Sequence, residues 1–139
     1  MSQTTIIAYH EHKLNSMGII KNNLKTKLVS ALLHNDANVS DPKELFCLSL
    51  VICFYKTITK YLKTNNNLSN EVKVKVVCNS YKDDEGFYFA INLICGIQHL
   101  SLEQTQLIIN KVHRKCPISR MLQTYPHIKL LSTLYEEIN

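Results

Sequence analysis

No stretch of this chain stays apolar for long enough to cross a bilayer. The longest apolar segment, Leu45–Tyr55, is interrupted by Ser49 and falls short of the roughly 20 residues a spanning helix needs. The first seven residues are uncharged and polar before Ile6, so the basic start and longer apolar stretch of a secretory signal are missing. Cysteines occur at 47, 53, 78, 95 and 116, an odd number with no Cys-x-x-Cys pair. That excludes a secreted disulfide framework and gives structural zinc no recognisable ligand set. Lysines and arginines exceed acids by a net +5 but are scattered through the chain, so the patch that nucleic-acid binding requires is absent. Internal repeats and low-complexity tracts are also missing. These absences lead to the expectation of one cytoplasmic domain spanning residues 1–139, with neither a membrane nor a nucleic acid as partner.

The chain has the material for such a domain. Hydrophobic residues make up 45% of its 139 positions, an ordinary share for a folded protein with a real core. Thr4–His12, Met17–Lys21 and Leu24–Leu33 read as strands, with a tight turn at Lys21-Asn22-Asn23. His34–Asp41 reads as a loop. Asp41 can then cap a helix that Pro42 opens and Glu44 favours at its positive end. This helix should run from Pro42 to about Leu62, until Thr64-Asn65-Asn66-Asn67 ends it. Its middle is apolar nearly all round, which predicts a central, buried helix that needs a partner subunit to cover it.

Glu71–Tyr81 alternates, with Val72, Val74, Val76 and Cys78 on one face. A turn at Lys82–Gly86 leads into a return strand, Phe87–Ile97, making a hairpin. Ser101 and Gln104 resemble a capping box for a helix over Leu102–His113, with Leu107, Ile108 and Val112 facing inward. His127–Leu134 can close the fold as a strand, although Leu130–Glu137 also suits a helix. Strands cluster instead of alternating with helices, so the fold class is α+β.

The residues with most chemistry in them are Cys116-Pro117. Proline suits the first position of a helix, which puts Cys116 at the N-cap of a short helix over Pro117–Thr124. There the helix's positive end and Arg114, Lys115 and Arg120 favour a thiolate, the reactive form. The competing reading is a buried cysteine that merely packs.

Two segments resemble the OsmC/Ohr family of organic hydroperoxide reductases. One is Asp41-Pro42-Lys43-Glu44-Leu45-Phe46 with Val51-Ile52-Cys53-Phe54, which is similar to the family's central helix. The other is His113–Arg120 with Leu122, which looks like its second cysteine motif. The hairpin and the Leu100–Gln104 helix start fall in the family's order. The resemblance implies an intertwined homodimer, with long central helices between antiparallel sheets. It implies a peroxidatic Cys53 and a resolving Cys116 acting on organic hydroperoxides, recycled by a lipoyl-type dithiol. No metal and no bound cofactor is implied.

Departures from the family pattern fall at the activating groups. Lys43 follows the helix-opening proline where family peroxidases have glutamate, and Glu44 is displaced by about 100° round the helix. No arginine precedes Arg114. Lys13 or Lys21 could supply charge without arginine's planar fork, and Lys43 or Arg120 could act on the cysteines from elsewhere. Lys43, Glu44 and Arg120 are therefore supporting candidates beside Cys53 and Cys116. The departures also motivate a second reading: a catalytically degenerate relative that binds an apolar ligand or senses thiol oxidation. Cys47, about 240° from Cys53 round the helix, does not share its face, and Cys78 and Cys95 in strands read as packing residues. His10 with His12, and His113 with Cys116, each offer too few ligands for a metal.

Overall fold

A computed structural model describes residues 5–6, 8–9, 13, 17–20, 24–27, 40–66 and 70–139. The chain divides into two compact units, Met1–Phe46 and Cys47–Asn139. In the first, β1 (Ala8–Tyr9), β2 (Met17–Ile20) and β3 (Lys25–Lys27) form an antiparallel meander. Ala8 is registered with Ile20, and Met17 with Lys27. The expected turn at Lys21-Asn22-Asn23 and the pair His10 and His12 lie outside the described residues.

Helix α1 covers Pro42–Asn66 and continues from the first unit into the second. It starts where the local chemistry says it should. Asp41 accepts the Glu44 N–H at 2.8 Å and the Lys43 ammonium at 3.0 Å, while its own carbonyl receives the Leu45 N–H. Burial of this carboxyl raises its pKa. The Glu44 N–H and the Lys43 hydrogen bond and charge outweigh that, so the net value falls below the usual carboxylate range. The helix runs past the expected stop, through Thr64 and Asn65. Asn65 donates its side-chain amide to the Tyr61 carbonyl at 3.2 Å, so this turn-former works with the last turn and not against it.

One stripe of α1 is fully buried: Leu50, Phe54, Ile58 and Leu62, each a turn after the last. The opposite face is not. Leu48, Ile52 and Tyr55 are 53%, 46% and 43% exposed, so the single chain covers one face of this apolar helix and leaves the other uncovered. At full length α1 also meets the length and composition for crossing a bilayer, which the shorter segment read from sequence does not. The buried stripe shows that such a composition also serves a protein core.

In the second unit β4 (Val72–Asp83) and β5 (Gly86–Ile97) form a long hairpin, registered from Val72↔Ile97 to Asp83↔Gly86. The turn is narrower than expected, just Asp84-Glu85. Asp83 closes it by accepting the N–H groups of Glu85 and Gly86 at 2.9 and 3.2 Å. Gly86 has φ +127°, a backbone conformation that residues with a side chain rarely adopt. Strand β6 (Ile128–Ser132) joins the other edge of β5 in parallel, Ile91↔Ile128 to Cys95↔Ser132. A parallel partner needs a long crossover, and α2 (Leu102–His113) with α3 (Pro117–Arg120) provides it. The sheet is therefore mixed where the resemblance implied antiparallel pairing throughout.

The capping box on α2 is present in both directions. Gln104 N–H donates to Ser101 Oγ, and Ser101 N–H to Gln104 Oε1. The inward stripe of α2 is Thr105, Ile109 and Val112; Leu107, expected inside, is 64% exposed. The apolar residues Leu107 and Ile108 suggest one phase, whereas the protein buries Thr105 whole, its hydroxyl included and without a hydrogen-bond partner among the described residues. The core combines these residues with the buried stripe of α1 and with Val72, Ile91, Leu93, Cys95 and Ile97 of the sheet. The chain closes on a 3-10 turn, Tyr135–Glu137, that crosses Gly96 so closely that a Cβ there would lie 2.9 Å from the Tyr135 Cα.

Candidate active site

Cys53 lies midway along α1, one residue before the fully buried Phe54. Cys116 lies in the bend between α2 and α3. The last turn of α2 tightens there, with Lys115 N–H and Cys116 N–H both donating to the Val112 carbonyl, at 2.9 and 2.8 Å. Cys116 leaves in an extended conformation, φ −72° and ψ 119°, Pro117 restarts the helix, and Arg120 N–H closes its first turn on the Cys116 carbonyl. This Val112–Arg120 bend points the Cys116 sulfur back at α1. Its Sγ is 3.1 Å from Cys53 Sγ, across 63 residues of sequence, and both thiols are free.

The two sulfurs differ in access. Cys116 is 0% exposed, whereas Cys53 is half-buried. Burial pushes the Cys116 thiol up, and the Cys53 sulfur adds to this by hydrogen bonding and by charge. The nearby Ser119 N–H and Thr57 hydroxyl pull the other way without reversing the direction. The helix-end stabilisation expected from sequence is outweighed. Helix α3 has just four residues, the cysteine side chain makes no capping hydrogen bond, and Arg114, Lys115 and Arg120 are exposed.

Two hydroxyls organise the surroundings. Thr57, one turn after Cys53, donates to the Cys53 carbonyl at 2.8 Å. Ser119, 0% exposed, makes a short hydrogen bond to His113 Nδ1, tying α3 to the end of α2 on either side of Cys116. Burial, with the Arg114 charge, lowers the His113 pKa and so favours the neutral ring at pH 7. Sequence reading weighed His113 as a metal ligand and did not single out Ser119. It missed Thr57 as well, although the spacing i, i+4 from Cys53 puts the two on one helix face.

The other candidates are elsewhere. Lys43 and Glu44 belong to the first unit and engage Asp41, the former by its ammonium and the latter by its backbone N–H. Lys13 is exposed, and Lys21 lies outside the described residues. Cys47 and Cys78 are half-buried. Cys95 is fully buried in β5, and burial pushes its thiol up to about 12. Among the described residues no three His, Cys, Asp or Glu side chains gather in a way that could hold a metal.

The chain matches known proteins in sequence and in fold. The family model of OsmC-like proteins aligns with residues 35–131, which include both cysteines. The chain belongs to the OsmC-like protein family. OhrB of Bacillus subtilis, an organic hydroperoxide resistance protein, is 25% identical to this OsmC-like chain over 92 residues, covering 66% of this chain and 68% of OhrB. Among solved structures, an organic hydroperoxide resistance protein from Elizabethkingia anophelis superimposes with a TM-score of 0.81 at 21% identity, over 96% of this chain and 98% of that one. An organic hydroperoxide resistance protein from Legionella pneumophila does so with a TM-score of 0.79 at 19% identity, again over 96% and 98%. These structures establish the OsmC-like fold for the chain.

Proposed function

We propose that this OsmC-like protein is a thiol peroxidase that reduces organic hydroperoxides through Cys53 and Cys116. The observation that carries the reading is the 3.1 Å approach of the two sulfurs, with the more accessible one on α1. Cys53 is the peroxidatic residue because a peroxide can meet it. Its thiolate attacks the terminal peroxide oxygen, the O–O bond breaks, and with one proton the products are an alcohol and the Cys53 sulfenic acid. Cys116 is the resolving residue because it is shielded from the peroxide yet in contact with Cys53. It attacks the sulfenic sulfur, the S–O bond breaks, and water leaves as the disulfide forms. An external dithiol, of lipoyl type in our reading, then restores both thiols by exchange, which suits a reducing cytoplasm.

The raised pKa of Cys116 fits this division. A resolving thiol that stays protonated until the sulfenic acid forms is spared direct oxidation. Cys53→Ser should abolish turnover of cumene hydroperoxide in a coupled dithiol assay, and full activity in that variant would refute the proposal. Cys116→Ser should still consume one equivalent of peroxide while forming no intramolecular disulfide.

The exposed stripe Leu48, Ile52 and Tyr55 supports a homodimer in which a second copy covers α1. Light scattering should give twice the 16.0 kDa chain mass. Ile52→Lys should shift the mass toward the monomer, and a native monomer would contradict this part of the reading. A catalytically degenerate relative, binding an apolar ligand or sensing oxidation, is the second reading, favoured by a Lys43 that is ion-paired with Asp41. Co-purification of an apolar ligand, with no peroxide turnover, would decide for it.

A further inference from the structure

Cys116 must become a thiolate to attack Cys53, yet it is buried, and the support its short helix offers the sulfur is the Ser119 N–H alone. Something uncharged has to receive the negative charge. The titratable group facing it from α1 is Cys53, which by then is a sulfenic acid. At the end of α2, His113 spends its Nδ1 on Ser119, so the Ser119 hydroxyl is engaged and Ser119 offers the sulfur its backbone N–H, which does not by itself offset the burial. Arg114, Lys115 and Arg120 are exposed. On α1 the group beside the pair is the hydroxyl of Thr57, on the same helix face as Cys53 and close to the Cys116 sulfur.

We propose that Thr57 is a positioning residue for the resolving step: its hydroxyl turns from the Cys53 carbonyl to the Cys116 sulfur and holds the attacking thiolate. The inference rests on the peroxidatic and resolving assignment above. The turn costs little. The Cys53 carbonyl lies inside α1 and already accepts the i+4 backbone N–H, so losing its second donor leaves it satisfied. A hydrogen bond to a charged sulfur is stronger than one to a neutral carbonyl. In the step itself the Cys116 thiolate forms the S–S bond and the Cys53 S–O bond breaks. The departing hydroxide takes up a proton equivalent to the one Cys116 released. The oxidising equivalents come from the hydroperoxide. Thr57 exchanges no atoms and acts through Cys116.

The test is the rate of Cys53–Cys116 disulfide formation across pH in the native chain, Thr57→Val and Thr57→Ser, with peptide mapping of the product. Two oxidants start it: cumene hydroperoxide, and saturating diamide, which couples two thiols without peroxidase chemistry. Thr57→Val keeps the shape and removes the hydroxyl. It should slow disulfide formation at neutral pH by about tenfold and raise the pH midpoint by about one unit with both oxidants. Thr57→Ser should stay within about twofold of the native chain. A purely structural role would lower the melting temperature and leave the pH midpoint alone. A Thr57→Val profile that overlays the native one with diamide overturns the inference, and so does equal impairment of the Val and Ser variants. If the native chain forms the link with diamide and not with hydroperoxide, the peroxidase reading fails, and the diamide profiles still decide on Thr57. No link with either oxidant overturns both.

Discussion

Cys95 and Cys116 are equally shut off from solvent, and burial raises the pKa of both. Their surroundings differ. Cys95 sits in the middle of the mixed sheet, registered with Val74 on one side and Ser132 on the other, and burial is the cause of its shift. Cys116 stands at a bend between two helices with another sulfur at 3.1 Å and the Ser119 N–H and Thr57 hydroxyl beside it. Burial alone makes a thiol inert. In the proposed peroxidase, burial in contact with a second, more accessible thiol makes it a protected reactant, held back until its neighbour is oxidised. The difference comes from backbone geometry. A strand fixes Cys95 among its ladder partners, whereas the Val112–Arg120 bend aims Cys116 at a residue 63 positions away.

The largest test of this contrast is catalytic. Cys116→Ser should reduce steady-state turnover with a dithiol reductant by at least about tenfold, in line with the loss of a group acting directly on the reacting sulfur. Cys95→Ala should keep turnover within about twofold, since it removes a packing group distant in role. A comparable loss in both variants would erase the distinction. The next is chemical reactivity. Mass-mapped alkylation of the folded chain at pH 8 should label Cys53 about a hundredfold faster than Cys95, because the thiolate is the nucleophile and a thiol pushed up to about 12 scarcely supplies one.

A third test uses pH. The folded chain holds the Cys95 proton more tightly than the unfolded chain, whose thiol has its ordinary value of 9.0. The corresponding stability is full below pH 9 and is lost as pH rises from 9 toward 12. By pH 10.5 the loss should reach about 2 kcal/mol, and Cys95→Ala should flatten that part of the alkaline slope in urea titrations. The smallest effect concerns the start of α1. Asp41→Ala should cost about 1 kcal/mol at pH 7, the usual worth of an N-cap. The Asp41 pKa is lowered, so its contribution is present above the ordinary carboxylate value and disappears as pH falls through the folded one. Native and variant stabilities should therefore converge in acid.

The parts of this molecule that were legible in sequence are those with local causes. Asp41-Pro42 announces a helix start because cap and first turn are adjacent, and Ser101 with Gln104 does the same for α2. The valine alternation from Val72 gives the hairpin. Other features depend on partners distant in the chain. The parallel seating of β6 on β5 depends on how α2 and α3 cross the sheet, which no residue of Ile128–Ser132 encodes alone. The phase of α2 turns on Thr105, a polar residue buried together with its hydroxyl. The end of α1 was misplaced because Asn65 is a turn-former by composition and a helix-capping donor in place. At the candidate site, the motif around Cys116 and the family resemblance brought the two cysteines into view. Their approach, the shielding of Cys116, and the placing of Thr57 and Ser119 beside it appear once α1 and the α2–α3 bend are packed together.

The most direct measurement is the mass and peptide map of the reduced native protein after one equivalent of cumene hydroperoxide. The account predicts rapid loss of two hydrogens, with Cys53 linked to Cys116 and the Cys95 peptide unmodified. No mass change, or slow oxidation spread over all five cysteines, would contradict it.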